Sequence, residues 1–223
     1  MRSMYYIFYN AVYKPILKLY LKTDSNITFD GFKLRVFKDV FHPKLFFSTK
    51  YFYSFLKEQN FDQRNFLEIG CGSGILSLLA KRKGALVTAV DIDPKAVENT
   101  QLNFKTNFVT SRNTTIVQSD IFKNVPVQTF DVIAINPPYY FKKVETASQY
   151  AWYCGENGEY FEELFLNLPR YIKKTSSAFM ILEENCEIDR MKSIALKNNI
   201  SFELVHEKTI KWEKNYIYKL NAN

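Results

Sequence analysis

Short apolar runs alternate with amphipathic segments from residue 65 almost to the end of the chain, and this alternation restricts the fold more than any other feature. Runs typical of β-strands occupy residues 66–69, 86–90, 114–117, 132–135 and 178–182. Strands separated by helices of roughly 10–15 residues predict a doubly wound α/β fold with a mainly parallel sheet. Two final extended runs, at 202–205 and 216–220, are expected to close the sheet as an antiparallel hairpin.

Helical signals fall between these runs. The apolar spacing after the first run, over residues 75–79, marks one face of a helix. Asp93 followed by Pro94 predicts the start of a second helix, with Asp93 as its N-cap residue. A third amphipathic helix is predicted over residues 161–172, and a fourth is expected to end near residue 197.

The N-terminal segment precedes this pattern. Apolar and aromatic residues recur every four positions over residues 5–22, and three lysines occupy the opposite side of the predicted helix, which Pro15 is expected to kink. This helix either packs on the main domain, which we favour, or lies on a membrane or grips a substrate. We therefore divide the chain into an accessory helix and linker, residues 1–33, and a main domain, residues 34–223.

The composition limits the class of protein. With 223 residues, 47% apolar and 24% charged, the chain suits one globular core. No apolar run approaches the roughly 20 residues of a membrane-spanning helix, and the start lacks the pattern of a secretory signal. Three widely spaced cysteines and two histidines predict no metal site and favour a cytoplasmic location. The net charge of +7 leaves an anionic partner such as RNA, a ribosome or a membrane surface open.

A glycine-rich loop lies where the first strand of the alternating region meets its first helix. Gly70, Gly72 and Gly74 occupy every second position directly after Glu68. Glycines allow a tight turn and let a ligand approach the backbone closely. Asp91, 17 residues beyond Gly74 at the end of the next strand, is placed to accept both hydroxyls of a ribose. These features predict an adenosine-containing cofactor, either a nicotinamide dinucleotide or S-adenosylmethionine.

Two details favour S-adenosylmethionine. The loop lacks the third glycine of the GxGxxG spacing, with which a helix N-terminus holds a pyrophosphate. Glu68 would repel a phosphate, whereas a carboxylate attracts the ammonium and sulfonium groups of S-adenosylmethionine. Asp120, at the end of the third strand, is expected either to accept from the adenine amino group or to cap a helix. We assign Ile92 and Ile121, which follow the two strand-end acids, to the same cofactor site.

An Asn-Pro-Pro-Tyr sequence directly follows the fourth strand, at the edge where open α/β sheets bind ligands. Pro137 and Pro138 fix the backbone and remove two N–H donors, which leaves nearby carbonyl groups as free acceptors. The Asn136 side chain and the Pro137 carbonyl can then hold both hydrogens of an NH2 group, whose lone pair is delocalised. Tyr139 offers a flat surface for a planar group. The motif predicts methylation of a planar nitrogen, and we also place Asn136 in the cofactor site.

Together these motifs resemble the HemK family of methyltransferases, which modify a glutamine amide in translation release factors. The resemblance spans about residues 37–220. It includes residues 40–43 with 48–49, similar to the family's segment that closes over the cofactor, and the glycine-containing stretch 151–158. It implies a Rossmann-like fold with a seven-stranded sheet, S-adenosylmethionine as the cofactor and catalytic roles for residues 136–139.

The resemblance leaves the methyl acceptor open. Typical bacterial release-factor methyltransferases carry a separate helical domain before the catalytic one, whereas this sequence has only about 30 residues there. The same tetrapeptide marks enzymes that methylate exocyclic amines of adenine and guanine in DNA and RNA. We therefore expect a protein substrate such as a translation factor, or a nucleic acid whose flipped base stacks on tyrosines. A non-catalytic binding protein is a third hypothesis, which binding of S-adenosylmethionine would argue against.

Overall fold

Two β-sheets are present in the computed structural model, which describes residues 23–109, 112–210 and 213–222. The smaller is a hairpin of β1 (Ser25–Phe29) and β2 (Phe32–Val36). The larger contains β3 (Asn65–Ile69), β4 (Leu86–Asp91), β5 (Thr114–Gln118), β6 (Val132–Ile135), β7 (Ser177–Glu183), β8 (Ile200–Ile210) and β9 (Glu213–Ala222). The helix predicted over residues 5–22 lies outside the described residues.

The larger sheet has the strand order β5-β4-β3-β6-β7-β9-β8. β3 pairs in parallel with β4 and β6, and parallel pairing continues outward to β5 and β7. β9 then runs antiparallel between β7 and β8. The strand order reverses between β3 and β6, so their carboxyl ends flank the crevice where open α/β sheets bind ligands. The prediction of a mainly parallel, seven-stranded Rossmann-like sheet with an antiparallel C-terminal hairpin is confirmed.

Five α-helices connect the strands within the described residues: α1 (Phe47–Lys57), α2 (Ile75–Arg82), α3 (Pro94–Thr106), α4 (Glu159–Asn167) and α5 (Ile188–Lys197). Helix α3 begins as predicted, because the Asp93 side chain accepts a hydrogen bond from the Lys95 N–H at 3.0 Å. The helix predicted over residues 161–172 is wrong at its end. Pro169 has no N–H to donate, and the chain continues after Asn167 as a short 3-10 helix, Leu168–Arg170.

Apolar side chains cover both faces of the larger sheet. Phe66 of β3 packs into the cluster that contains α1, α2 and α3, whereas the next residue, Leu67, packs into the cluster beneath α4 and α5. Phe52 and Phe161 are fully buried, one in each cluster. Each such side chain stabilises the fold by about 1.5–3 kcal/mol relative to an exposed one. The strand ends are therefore held between two packed layers.

The β1–β2 hairpin differs from the predicted linker, although the sequence carries a signal for it. Asp30-Gly31 lies between alternating apolar residues, which is typical of a tight hairpin turn. The Asp30 carboxylate accepts hydrogen bonds from the Tyr53 hydroxyl and from Arg82 Nη2, each at 2.6 Å, so the turn is tied to α1 and α2. The domain boundary proposed between residues 33 and 34 falls inside β2 and stays a prediction.

Within the three described ranges, no helix combines the length and apolar character needed to span a membrane. The same residues contain no cluster of three or more His, Cys, Asp or Glu side chains suited to a metal ion. All three cysteines are free thiols: Cys71 and Cys154 are buried, and Cys186 is half-buried.

Candidate active site

A cavity of about 660 Å³ opens at the carboxyl ends of β3, β4, β5 and β6. Its wall includes most of the residues predicted from the sequence: Glu68, Gly70, Gly72, Asp91, Ile92, Asp120, Ile121, Asn136, Pro137, Pro138 and Tyr139. These residues follow or end four different strands, and the parallel sheet brings the four strand ends to one edge. Gly74 is the exception among the predicted residues, because it does not line the cavity.

The glycine loop turns sharply between β3 and α2. Its alternate glycines adopt positive φ angles of 77° at Gly70, 51° at Gly72 and 75° at Gly74, a region that other residue types avoid. A Cβ at Gly74 would lie 2.6 Å from Thr100 Cγ2. Gly74 therefore lets the loop pack against α3, and its contact with a cofactor stays a prediction.

Asp91 is hydrogen-bonded to this loop and also lines the cavity. Its Oδ2 accepts a hydrogen bond from the Gly72 N–H at 2.9 Å, and its Oδ1 accepts one from the Asp93 N–H at 3.0 Å. Burial raises the pKa of the carboxyl to about 6, although the backbone N–H groups of Gly72, Asp93 and Ile92 act in the opposite direction. A carboxylate has about four lone-pair sites, so acceptor capacity remains for the hydroxyls of a ligand.

Glu68 lies beneath the loop and is only 4% exposed. Its Oε2 accepts hydrogen bonds from the Ser77 N–H, at 2.8 Å, and from the Ser77 hydroxyl. Burial, with a smaller contribution from the charge of Asp91, raises the pKa of Glu68 to about 8. A cation in the cavity would favour the charged forms of both acids.

Asp120 lies in a turn at the cavity wall, where Lys123 Nζ donates to its Oδ2 at 2.6 Å. No helix of the described chain begins here, so the expected helix-cap alternative does not apply. The hydroxyl of the preceding Ser119 donates to the Ile121 carbonyl at 3.0 Å and accepts from the Asn124 N–H at 2.9 Å. These bonds fix the turn that brings Ile121 to the cavity wall.

The Asn-Pro-Pro-Tyr segment leaves β6 with acceptors available. Asn136 is half-buried, and neither its side chain nor the Pro137 carbonyl has a hydrogen-bond partner in the part of the chain that the structure describes. The Asn136 carbonyl lies 3.8 Å from the position that a Cβ would take at Gly70. The segment thus passes directly beside the glycine loop.

Tyr139 and Tyr140 continue this segment, with ring centroids 4.8 Å apart in an edge-to-face arrangement. Burial, with the nearby Glu183, raises the pKa of the Tyr139 hydroxyl far above its usual value. Tyr140 is anchored through its backbone: its N–H donates to the Trp152 carbonyl at 3.0 Å, and its carbonyl accepts from the Cys154 N–H at 2.9 Å. The motif is therefore joined through the backbone to the segment around residues 152–154, of which Tyr153 and Cys154 also line the cavity.

The segment that follows β2 lies against the glycine loop. Val40 Cγ1 and the Phe41 carbonyl oxygen are each 3.9 Å from the position that a Cβ would take at Gly72. The Phe41 ring stacks on Phe46 with centroids 4.3 Å apart, and both rings lie within 5.2 Å of the Trp152 ring, centroid to centroid. The segment therefore lies at the cavity wall next to the glycine loop, and its closing over a cofactor stays a prediction.

Several wall residues are missing from the sequence-based set. Lys143, Tyr150, Tyr160 and Glu163 line the cavity. They come from a loop, a short 3-10 helix (Ala147–Ala151) and the first turns of α4, where no periodic signal distinguishes them. His42, in contrast, does not line the cavity. It is buried and hydrogen-bonded to the Ser25 hydroxyl at 3.0 Å, and burial lowers its pKa to about 4.

Comparison with known proteins decides the family of the chain. The family profile described as "Methyltransferase small domain" matches residues 34–153. A Methanocaldococcus jannaschii protein with the provisional name protein N5-glutamine methyltransferase is 32% identical over 190 residues, which are 80% of this chain and 91% of that protein. The chain belongs to the family of the methyltransferase small domain. It is an S-adenosylmethionine-dependent methyltransferase.

Other relatives match a smaller part of their own length. The ribosomal protein L11 methyltransferase of Thermosipho africanus is 38% identical over 132 residues, 57% of this chain and 49% of that protein. The tRNA1(Val) (adenine(37)-N6)-methyltransferase of Haemophilus influenzae is 40% identical over 82 residues, 34% of this chain and 35% of that protein. These methyltransferases therefore share only part of their sequence with this one.

Two solved structures show the same fold. A Pyrococcus furiosus methyltransferase superposes with a TM-score of 0.61 at 24% identity, covering 95% of this chain and 98% of that one. The E. cuniculi Mtq2–Trm112 complex contains a chain with a TM-score of 0.61 at 17% identity, covering 83% of this chain and 99% of that one. At these identities the likeness concerns the fold alone.

Proposed function

We propose that this enzyme methylates the side-chain amide nitrogen of a glutamine in a protein, and that a translation release factor carries this glutamine. The observation that carries the proposal is the pair of available acceptors, the Asn136 side chain and the Pro137 carbonyl, on the cavity wall beside the glycine loop. A glutamine amide presents two N–H hydrogens in one plane. The Asn136 side chain and the Pro137 carbonyl, which the two prolines hold in place, can each accept one of these hydrogens.

The cavity fits S-adenosylmethionine in size and in charge. Its volume of about 660 Å³ lies within the range of roughly 300–1,000 Å³ of small-molecule sites. Asp91 would hold the ribose hydroxyls, Glu68 would favour the cationic methionine end, and Asp120 would accept from the adenine amino group. Ile92 and Ile121 would contact the adenine ring. When bound, S-adenosylmethionine supplies a methyl group attached to a positively charged sulfur.

Asn136 and Pro137 would orient the acceptor nitrogen. An amide nitrogen is a weak nucleophile because its lone pair is delocalised into the carbonyl group. Two neutral acceptors that bind its hydrogens fix its direction and stabilise the positive charge that develops on it. Tyr139, whose hydroxyl stays protonated because burial raises its pKa, would cover the amide plane without taking a proton.

The choice of glutamine rests on how much of each relative is matched. The archaeal relative that is named for glutamine methylation is matched over 91% of its length. The relative that is named for tRNA adenine methylation is matched over 35% of its length. A match over nearly the whole of a relative includes the parts that bind the acceptor, and this supports a glutamine acceptor here.

An exocyclic amine of an RNA or DNA base is the second candidate acceptor. Such an amine also presents two N–H hydrogens to Asn136 and Pro137. Tyr140 and Tyr150, which are 44% and 43% exposed, offer rings for stacking a flipped base, and the net charge of +7 favours a polyanion.

The acceptor is tested by transfer of labelled methyl groups from S-adenosylmethionine. We expect a purified release factor to be labelled, and the same factor with the acceptor glutamine replaced by glutamate to remain unlabelled. Digestion of a labelled lysate with protease or nuclease distinguishes the two candidates. Label that nuclease releases and protease does not would refute the glutamine proposal.

The role of the clamp is tested with Asn136→Ala and Asn136→Asp. Loss of one aligned contact of this kind lowers kcat by about 10²–10³, whereas the affinity for S-adenosylmethionine should fall much less. Asn136→Asp keeps an acceptor but adds a negative charge and loses the neutral amide, so we expect it to be impaired as well. Full activity of Asn136→Ala would eliminate the planar-nitrogen mechanism.

A further inference from the structure

One edge of β2 is paired by side chains of α3 instead of by a strand. The other edge pairs with β1. The side chains form an asparagine ladder, which consists of Asn99, Asn103 and Asn107. Asn107 binds both backbone groups of Lys33: its Oδ1 accepts from the N–H at 2.9 Å, and its Nδ2 donates to the carbonyl at 2.8 Å. Asn103 binds both backbone groups of Arg35 in the same way, each at 2.9 Å. Asn99 Oδ1 accepts from the Phe37 N–H at 3.0 Å, and Asn99 Nδ2 donates to the Arg35 carbonyl at 2.6 Å.

The spacing of the ladder follows from the geometry of a helix and a strand. Asn99 and Asn103 lie in α3, and Asn107 is the residue that directly follows it. Successive asparagines are four residues apart, which is about 6.0 Å along a helix that rises ~1.5 Å per residue. Their N–H partners, Lys33 and Arg35 of β2 and Phe37 directly after it, are two residues apart, which is about 6.6 Å along a strand that rises ~3.3 Å per residue. Because the two repeats differ by less than about 1 Å, three amides in a row can serve alternate residues of β2. The ladder therefore sets the register of β2 on α3.

Asn103 differs from the other members of the ladder because it also binds the glycine loop. It is fully buried, and its Nδ2 donates a second hydrogen bond, to the Ser73 carbonyl, at 2.9 Å. The additional bond of Asn107 stays at the C-terminal end of α3, where its Nδ2 donates to the Asn103 carbonyl at 2.8 Å. Thr100 reinforces the junction, since its hydroxyl donates to the Gly72 carbonyl at 3.0 Å.

We propose that Asn103 is a positioning residue of the cofactor site, which fixes the segment after β2 against the glycine loop. The inference rests on the proposed S-adenosylmethionine site. Val40 and Phe41 line the cavity next to Gly72, and they follow Arg35 by only a few residues. A displacement of Arg35 would therefore reach the cavity wall. The buried amide resists that displacement, because a broken bond would leave a polar group without a partner.

Asn103→Ala and Asn107→Ala form a matched pair of variants. Each removes an amide that binds the β2 backbone, but only Asn103→Ala also removes the contact to the loop. We expect Asn103→Ala to raise the dissociation constant and the KM for S-adenosylmethionine by about tenfold, the scale of one lost hydrogen bond, with a smaller change in kcat. Asn107→Ala should lower the Tm while the dissociation constant changes less than about twofold.

Hydrogen exchange of the protein without cofactor provides a readout that does not depend on activity. The backbone amides of residues 38–41 should exchange faster in Asn103→Ala than in Asn107→Ala. Asn103→Asp is the second variant, in case the alanine variant does not fold. It keeps the acceptor for the Arg35 N–H and loses both donated bonds, so we expect the same loss of affinity.

Two results would overturn the positioning role. One is that Asn103→Ala and Asn107→Ala lower the affinity for S-adenosylmethionine equally and also lower the Tm equally. All members of the ladder would then have the same, purely structural role. The other is an unchanged dissociation constant in both Asn103 variants. If the unmodified protein itself failed to bind S-adenosylmethionine, the proposed cofactor site would be wrong instead. Hydrogen exchange would then still decide whether Asn103 holds the segment in place.

Discussion

Asp91 gives the site a pH dependence whose size can be worked out. Burial raises the pKa of this carboxyl to about 6. Ribose hydroxyls donate to a carboxylate, so binding requires the charged form. The apparent dissociation constant for S-adenosylmethionine should therefore rise by the factor 1 + 10^(6 − pH), which is about 1.1 at pH 7, about 2 at pH 6 and about 11 at pH 5.

The effect of the same shift on folding has the opposite sign. In the unfolded chain an aspartate has a pKa near 3.9, so it binds fewer protons than folded Asp91 between about pH 4 and 6. The contribution of Asp91 to the free energy of unfolding therefore increases as the pH falls through this window and is lost as the pH rises through 6. Weaker binding at pH 5 cannot then be attributed to unfolding caused by Asp91.

The assay is calorimetric titration with S-adenosylmethionine at pH 5, 6 and 7, with Asp91→Asn as the variant that does not titrate. We expect Asp91→Asn to bind more weakly at pH 7, by about 1.5–3 kcal/mol, and to lose the steep rise of the dissociation constant between pH 6 and 5. Glu68→Gln should keep the slope, because the pKa of Glu68 is about 8 and its titration lies above this range. A flat profile in the unmodified protein, or an unchanged slope in Asp91→Asn, would refute the assignment of Asp91.

Two further predictions concern stability. Gly74→Ala should lower the free energy of unfolding by at least about 1–2 kcal/mol in chemical denaturation, the scale for a left-handed backbone at a non-glycine residue, since φ is 75° and the new Cβ would meet Thr100 Cγ2 at 2.6 Å. Adding Thr100→Ser should recover only part of the steric cost, because Oγ1 of residue 100 stays 2.9 Å from the new Cβ. Full stability of Gly74→Ala alone would contradict the packing role. Removing residues 1–22 should lower the Tm in calorimetry if this segment packs on the domain, whereas an unchanged Tm with weaker binding to vesicles or substrate would favour the alternative of a binding arm.

The parts of the fold that follow from local pattern could be predicted from the sequence. β6 is a wholly apolar run, as expected for a strand that is covered on both faces. Helix α4 was overestimated because apolar spacing continues to Ile172, although Pro169 ends the α-helical hydrogen bonding. The hairpin escaped prediction because its two strands have only five residues each, and a short alternation after a polar stretch resembles a linker.

The cavity could be predicted where it depends on topology, and not where it depends on distant contacts. Residues that end or follow parallel strands reach the same edge of the sheet, so Asp91 and Asn136 were expected to lie close together. The pairing of Arg35 with Asn103 spans 68 residues, and asparagines four residues apart on a helix are as typical of an exposed face. Alternate glycines likewise suggest ligand contact at each position, yet Gly74 packs against Thr100.

The two buried acids give a physical reason why this loop suits a cation and not a phosphate. The raised pKa values of Glu68 and Asp91 show that burial disfavours the charged form of each. A phosphate would raise both pKa values further, whereas an ammonium or a sulfonium group would lower them. Since the pKa of Glu68 lies near 8, a cationic ligand that lowers it by one unit, equivalent to about 1.4 kcal/mol, makes binding release protons near neutral pH. Calorimetry in buffers with different ionisation enthalpies measures this directly: proton release on binding S-adenosylmethionine is expected, and proton uptake would mean that Glu68 does not face the cationic end of the ligand.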